Sequence, residues 1–461
     1  MSKKIKWASL QPLNGGMSIG FQQAIGHAPE FVITAGFPHC SHYCNYINEI
    51  KNEDVPFILM DGTYTEFDSK EDEELFNKLN EDIDIVQYVP VCAGLSMLNT
   101  CNSEDSKCRR GDPHNQQNQN MYETTKMVLG KINPKVAVFE NAPAAYTASG
   151  AGVIEVLRDI AKENGYSMTL EKTDTFFHGV PQHRKRTFVY FWRNETAALI
   201  EYENKVPKHL VDYLNEIPDD APLHDVFLNE KDSFKDVSYE YIMENVANDD
   251  EDTIIDVFNR YNIEKTTTAA VFIDAYPGID GAIEWAAKKL EEAQKEHDEY
   301  MALPEEERTE EKTFEVKEKL KRYKKADRIF NHRKTKVSAG KGYWDDSCPV
   351  YKDGAFVNAI ISKNMFRMLH PTKQRSLTIR ELLWLMGMPH DYVLLDAKKN
   401  SAHITQSVPV ATSKHIGTQC KLYVEGKLKE TESDFIKQNN EKQKVDYESK
   451  SHESVMDTEE W

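Results

Sequence analysis

Through the first 195 residues, short apolar runs alternate with stretches whose apolar positions recur at helical spacing. The runs IKWASL (5–10), FVITA (31–35), PFILM (56–60), DIVQYV (84–89), KVAVF (135–139), 167–174 and RTFVYFW (186–192) have the length and the β-branched or aromatic content of buried strands. Helical patterns fall at 17–26, 40–50, 70–80, 118–131 and 151–164. This βαβα alternation predicts an α/β, doubly wound parallel sheet with helices on both faces. No helical pattern separates the last two strands, which predicts an antiparallel pair.

The rhythm breaks after about residue 200. Residues 284–330 form a charged helical stretch interrupted at Leu303-Pro304, where a proline followed by glutamates suits a helix N-terminus. This predicts an αα-hairpin inserted in a second, smaller domain. At 377–390, LTIRELLWLMGMPH predicts a helix opened by Thr378 as N-cap, with Glu381 completing a capping box. A further helix is expected over 407–417, and the polar segment 427–461 is expected to be a disordered tail.

Composition adds bounds. A chain of 461 residues has room for two or three cores. No apolar stretch approaches the ~20 residues of a membrane span. The opening MSKKIKWASL lacks the apolar core of a signal peptide, so a cytosolic location is expected. Seven scattered cysteines do not read as a disulfide framework. His39, Cys40, His42 and Cys44 offer ligand-like side chains in a short span, but their spacing matches no zinc pattern, and no metal is expected. A net charge of −19 provides no global basic footprint for nucleic acid. A local one lies between Lys317 and Lys341, where Arg322, Lys325, Arg333, Lys334 and Lys336 belong to a stripe opposed only by Glu318 and Asp327.

In an open parallel sheet, ligands bind beyond the carboxyl ends of the strands. Those positions hold a glycine turn (QPLNGG, 11–16), Gly36, Asp61, Cys92 and Glu140-Asn141. In chain order, SLQPLNGGMSIGFQQAIG, PVCAGLSMLN, FENAPAAY, GVPQHRKR, MLHPTKQRSLTIRELLWLMGMP and TQSVPVATSKHIG resemble the motifs of the DNA (cytosine-5) methyltransferases. The likeness covers residues 5–192 and 365–420.

The resemblance implies a Rossmann-like catalytic domain of the S-adenosylmethionine-dependent type over 1–200. It also implies an inserted target-recognition domain over 201–365, and a closing motif and helix over 366–426 that return to the first domain. By resemblance Cys92 is the nucleophile that adds to C6 of a flipped cytosine in duplex DNA, and Glu140 assists at N3. Asn141 holds the loop, and Arg184 and Arg186 orient the base and offset charge. Leu13, Asn14, Gly15, Gly16, Asp61, Pro90, Gln406 and Ser407 are implied to contact S-adenosyl-L-methionine. Ser96 and the stripe Arg322, Lys325, Arg333, Lys334, Lys336 and Lys341 are implied to contact DNA. The chain departs from the family pattern chiefly around the cofactor, at Ser9, Gln11, Leu13 and Gly36 and at Ala93 and Thr405-Gln406. An altered cofactor, an RNA substrate and a non-catalytic binding role remain as alternatives.

Overall fold

The structure is a computed structural model that describes residues 4–96, 111–228, 280–338, 356–362, 365, 368, 370 and 377–441. The chain divides into two compact units. The first unit, 1–208 with 213–226 and 379–450, is built on one sheet. Its strands are β1 (Trp7–Leu10), β2 (Phe31–Thr34), β3 (Phe57–Leu59), β4 (Ile85–Tyr88), β5 (Val136–Asn141), β6 (Ser167–Asp174), β7 (Lys185–Trp192) and β8 (Phe435–Asn439). Among the described residues they form an eight-stranded sheet in the order β8-β6-β7-β5-β4-β1-β2-β3. All neighbours run parallel except β7, which is antiparallel to β5 and β6.

Residues on the central strands are buried on both faces, which is why these strands read as unbroken apolar runs. One face packs Leu10, Ile33, Tyr88 and Phe139 against Met121, Val128 and Leu157. These partners come from α4 (Gln116–Lys126), the wider π-type turn that extends it, and α5 (Ala151–Glu163). The other face packs Trp7, Ile85, Val138 and Trp192 against Phe21 of α1 (Gly16–Ile25) and Ile416 and Cys420 of α10 (Val410–Val424). The two helices meet at Gly20, where a Cβ would lie 2.4 Å from Ser413 Cβ and 2.6 Å from Val410 O. Other helices of this unit include α2 (Cys40–Cys44), α3 (Lys70–Leu79), α8 (Ile379–Leu385) and α9 (Ala402–Gln406).

The expected disordered tail needs correction. Residues 427–441 are ordered, and β8 joins the sheet edge in parallel register with β6. The edge strand FIKQN carries little apolar character because only part of one face is covered. Phe435 packs against the core under Arg158, whose guanidinium lies 4.4 Å from the ring centroid. Residues 442–461 lie outside the described residues.

The second unit comprises 209–212, 227–378 and 451–461. Its described part is dominated by an antiparallel hairpin of α6 (Asp280–Met301) and α7 (Glu310–Ser338). Ala286, Ala293, Val316, Leu320 and Tyr323 are buried along it. Lys319 pairs with Glu296 at 2.9 Å, and Thr309 N–H donates to Tyr300 Oη at 2.8 Å across the turn. No helix among the described residues is long and apolar enough to cross a membrane.

Candidate active site

The carboxyl ends of β1, β4 and β5 converge with the β7 entry and the segment after α9. Beyond β4, Pro90 is buried and the chain turns, with Leu95 N–H donating to Cys92 O at 3.0 Å. Gly111 N–H braces the turn by donating to Gly94 O at 2.8 Å. Gly94 packs closely on Asn118, where an added Cβ would lie 2.3 Å from Oδ1 and displace that side chain. Cys92 is exposed to solvent at the tip of this turn. Burial by surrounding protein still pushes its thiol up, Glu140 pushes it further, and Arg186 and Arg184 pull it back. The thiol is thus reachable by solvent and electrostatically coupled to three charged groups.

Glu140 is the fifth residue of β5 and is buried. Its Oε1 accepts from Arg186 Nε at 2.7 Å. Asn141 ends β5 and is buried. Its Oδ1 accepts from Ala142 N–H at 2.8 Å and its Nδ2 lies 3.5 Å from Met121 Sδ, which fixes the turn leaving the strand. Arg184 is buried, and its Nη2 donates to Thr405 O at 2.7 Å and Ser407 O at 3.1 Å. Burial first and Arg186 second lower its pKa to about 9, which leaves the guanidinium charged at neutral pH. Cys92, Glu140, Arg184 and Arg186 thus form one cluster.

The glycine turn is held from several sides. Gln11 and Leu13 adopt φ of 47° and 53°, and Gly15 adopts 94°. This run of left-handed conformations is held by Gln11 N–H to Ile33 O at 2.9 Å and Gly15 N–H to Pro12 O at 2.7 Å. A Cβ on Gly16 would lie 2.2 Å from both Ser407 Oγ and Val408 O. Ser407 therefore backs the glycine turn while its carbonyl holds Arg184, and Gln406 beside it is exposed. Asp61 caps its own turn, accepting from Thr65 N–H at 2.7 Å and Glu66 N–H at 3.0 Å and from the Thr63 hydroxyl. Burial opposes ionisation there, but these donors outweigh it and hold the carboxyl at about 2.

Ser96 ends the described part of the turn that carries Cys92. Arg322 lies on α7 in the second unit, and of Lys325, Arg333, Lys334 and Lys336 only the helical backbone is described. Lys341 lies outside the described residues.

Three residues that sequence reasoning passed over contribute. Gln87, fully buried in β4, donates to Ser18 Oγ at 2.8 Å and to Ser9 Oγ, tying β1, β4 and α1 together behind the glycine turn. Phe37 presents a 39% exposed ring after β2, stacked on His39. Asp174 ends β6 and accepts from Arg184 N–H at 2.9 Å, from Phe176 N–H at 3.1 Å and from His183 Nδ1 at 2.9 Å. Asp174 followed the same signal as Asp61 and Glu140, an acid at a strand's carboxyl end.

The model of the C-5 cytosine-specific DNA methylase family matches residues 14–422. A candidate DNA modification methyltransferase encoded within a prophage of E. coli superposes with a TM-score of 0.52 at 14% identity, over 92% of this chain and 99% of that one. This likeness supports the shared Rossmann-like fold. Dnmt2 structures from Spodoptera frugiperda (a mutant form) and S. pombe align with TM-scores of 0.44 and 0.43 at 12% and 13% identity. They cover 90% and 92% of this chain, and 99% of each of those chains. No curated protein matches the chain.

Proposed function

The chain belongs to the C-5 cytosine-specific DNA methylase family, and from that premise we propose that it methylates C5 of cytosine in duplex DNA through a covalent adduct to Cys92. The observation that carries this reading is the solvent-reachable Cys92 thiol coupled to Glu140, Arg184 and Arg186. An isolated thiol near a strand end is ordinary packing; one set among a carboxyl and two guanidiniums beside a glycine turn is suited to nucleophilic chemistry.

C5 of cytosine is a weak nucleophile and must be activated. Cys92 Sγ, as thiolate, forms a bond to C6, and the C5=C6 electron pair moves to C5. Glu140 donates a hydrogen bond or proton at N3, where negative charge develops, and Arg186 keeps the Glu140 carboxyl oriented. Release reverses the addition, and any proton given to N3 returns to Glu140. The C5 proton departs to water, its bonding pair re-forms C5=C6, and the Sγ–C6 bond breaks to return the Cys92 thiolate. Reaching the base in a duplex requires flipping it out, at about a few kcal/mol.

The residues present fit S-adenosylmethionine as the methyl donor. Asn14 is fully buried at the glycine turn with both side-chain amide atoms lacking a hydrogen-bond partner among the described residues, a deficit that a polar ligand makes good. Leu13, Asn14, Gly15, Gly16, Asp61, Pro90, Gln406 and Ser407 would hold it, and the exposed ring of Phe37 offers a platform for a flat base. When bound, it would supply the electrophilic methyl carbon that C5 takes, its sulfonium sulfur keeping the electron pair of the broken S–CH3 bond and leaving as a neutral thioether. The inserted unit carries the duplex contacts in this reading, through α7 and the residues after it.

Transfer of tritiated methyl groups from S-adenosylmethionine to long mixed-sequence duplex DNA and, in parallel, to structured RNA tests the proposal. Label recovered as 5-methylcytosine from the duplex is expected. Label confined to RNA would reassign the substrate, and no label in either from folded protein would overturn the activity.

A further inference from the structure

His39, His42 and His403 form a cluster that the proposed chemistry does not use. His42 follows β2 in α2, and His403 lies in α9, 361 residues later. Leu395 N–H donates to His42 Nδ1 at 3.2 Å, so in the neutral ring the hydrogen sits on Nε2. That Nε2 meets His403 Nδ1 at 2.9 Å and donates to it. The polarity of the chain is fixed: Leu395 N–H to His42, His42 to His403. A metal on His42 Nε2 would require the hydrogen on Nδ1, where the Leu395 N–H already points, so a metal-ligand role does not fit. The rings are packed as well, with His403 5.2 Å from His42 and 5.4 Å from His39, centroid to centroid.

The far end of this contact is the segment that braces the active site. Two residues beyond His403, Thr405 O accepts from Arg184, and Ser407 O does so again. Ser407 also backs Gly16. Tyr392, from the same stretch of chain, donates its hydroxyl to Asn14 O at 2.8 Å.

We propose that His42 and His403 are positioning residues forming a latch that holds the 401–408 segment against the glycine turn and, through the Thr405 and Ser407 carbonyls, sets Arg184 beside Cys92. The latch closes only when both rings are neutral, because a proton added to His42 Nδ1 or His403 Nδ1 would face an N–H head-on. The titratable groups facing His42 are His39 and His403, with Asp396 opposing them. Burial first, and the neighbouring histidines second, hold His39 and His42 at about 4, and burial lowers His403, which keeps the latch shut at neutral pH.

The consequence for catalysis rests on the proposed function; the test does not, since it needs no turnover. Amide hydrogen exchange is measured on the full chain for wild type, His403→Leu and His403→Asn, the last placing an amide oxygen where Nδ1 stood. In His403→Leu, protection of 12–19 and 401–408 is expected to fall roughly tenfold while β6 and α5 keep theirs. His403→Asn is expected to restore protection to within about threefold of wild type, and wild type itself to lose it selectively as the pH falls through about 4, where His42 takes up its proton. Unchanged protection in His403→Leu overturns the latch. So does an equal fall across β6 and α5, which marks a general packing contact. Failure of His403→Asn to restore protection overturns it too, by tracing the effect to ring packing.

Discussion

Glu140 and Arg186 act on the Cys92 thiol with opposite signs, so replacing each alone separates them. Arg186→Met removes a cation and leaves the Glu140 carboxylate uncompensated beside the sulfur. Glu140→Gln removes the anion and frees the Arg186 guanidinium to face it. A unit charge about 5 Å away acts with ~0.8 kcal/mol at the dielectric of water and ~3 kcal/mol at an effective value of 20, which is about half to two pKa units. The side chains of Glu140 and Arg186 are 8% and 21% exposed while Cys92 itself faces solvent, which places the effect between those limits. The expected shift is about one unit up in Arg186→Met and about one unit down in Glu140→Gln. Alkylation by iodoacetamide proceeds through the thiolate, so its rate at about pH 7.5 should fall nearly tenfold in the first variant and rise in the second. The assay is the pH dependence of that rate, read by mass spectrometry on the Cys92 peptide. Shifts of the same sign in both variants, or shifts under about 0.3 unit, would refute the electrostatic coupling on which the site reading depends.

Three further outcomes follow from the packing. Burial pushes His415 down, but Glu171 at 3.8 Å and Glu203 at 3.6 Å outweigh it and raise it to about 9. Its stabilisation, at most about 3 kcal/mol, is present in full below the unfolded value near 6.5 and is lost as pH rises through about 9. Urea denaturation across that window should show the decline in wild type and a flatter profile in His415→Gln. Gly20→Ala drives a Cβ into Ser413 and Val410 between α1 and α10 and should cost roughly 1–3 kcal/mol or more. Gly26→Ala, whose φ is 102° but whose Cβ would meet nothing within 4 Å, should cost only about 1 kcal/mol, and paired denaturation curves compare them. Asp174→Ala strands the buried N–H groups of Phe176 and Arg184 and should destabilise by about 2 kcal/mol or more, whereas Asp174→Asn, which retains an oxygen acceptor, should recover a large part of that loss in the same measurement.

Much of the first unit was legible because its central strands are covered on both faces and so carry their burial in the chain itself. From KVAVF, for example, the placing of Glu140 and Asn141 at a carboxyl end followed directly. β8 was not legible, since FIKQN pairs through its backbone at a sheet edge and buries little beyond Phe435. The supports of the site were hidden for a different reason. Ser407 behind Gly16, the carbonyls on Arg184 and the His42–His403 contact join residues hundreds of positions apart, and no local pattern reports them. Asp61 shows the reverse case: its position was readable, but its engagement with the N–H groups of its own turn depends on a backbone geometry that residue type alone does not specify.

The most direct measurement of the central claim is covalent trapping on long duplex DNA containing 5-fluorocytosine, with and without S-adenosylmethionine, for wild type and Cys92→Ala. Fluorine at C5 cannot leave as a proton does, so an adduct that forms through C6 persists. A cofactor-dependent protein–DNA adduct in wild type that vanishes in Cys92→Ala is the predicted result. An adduct that survives in Cys92→Ala, or none from folded wild type that binds the duplex, would contradict it.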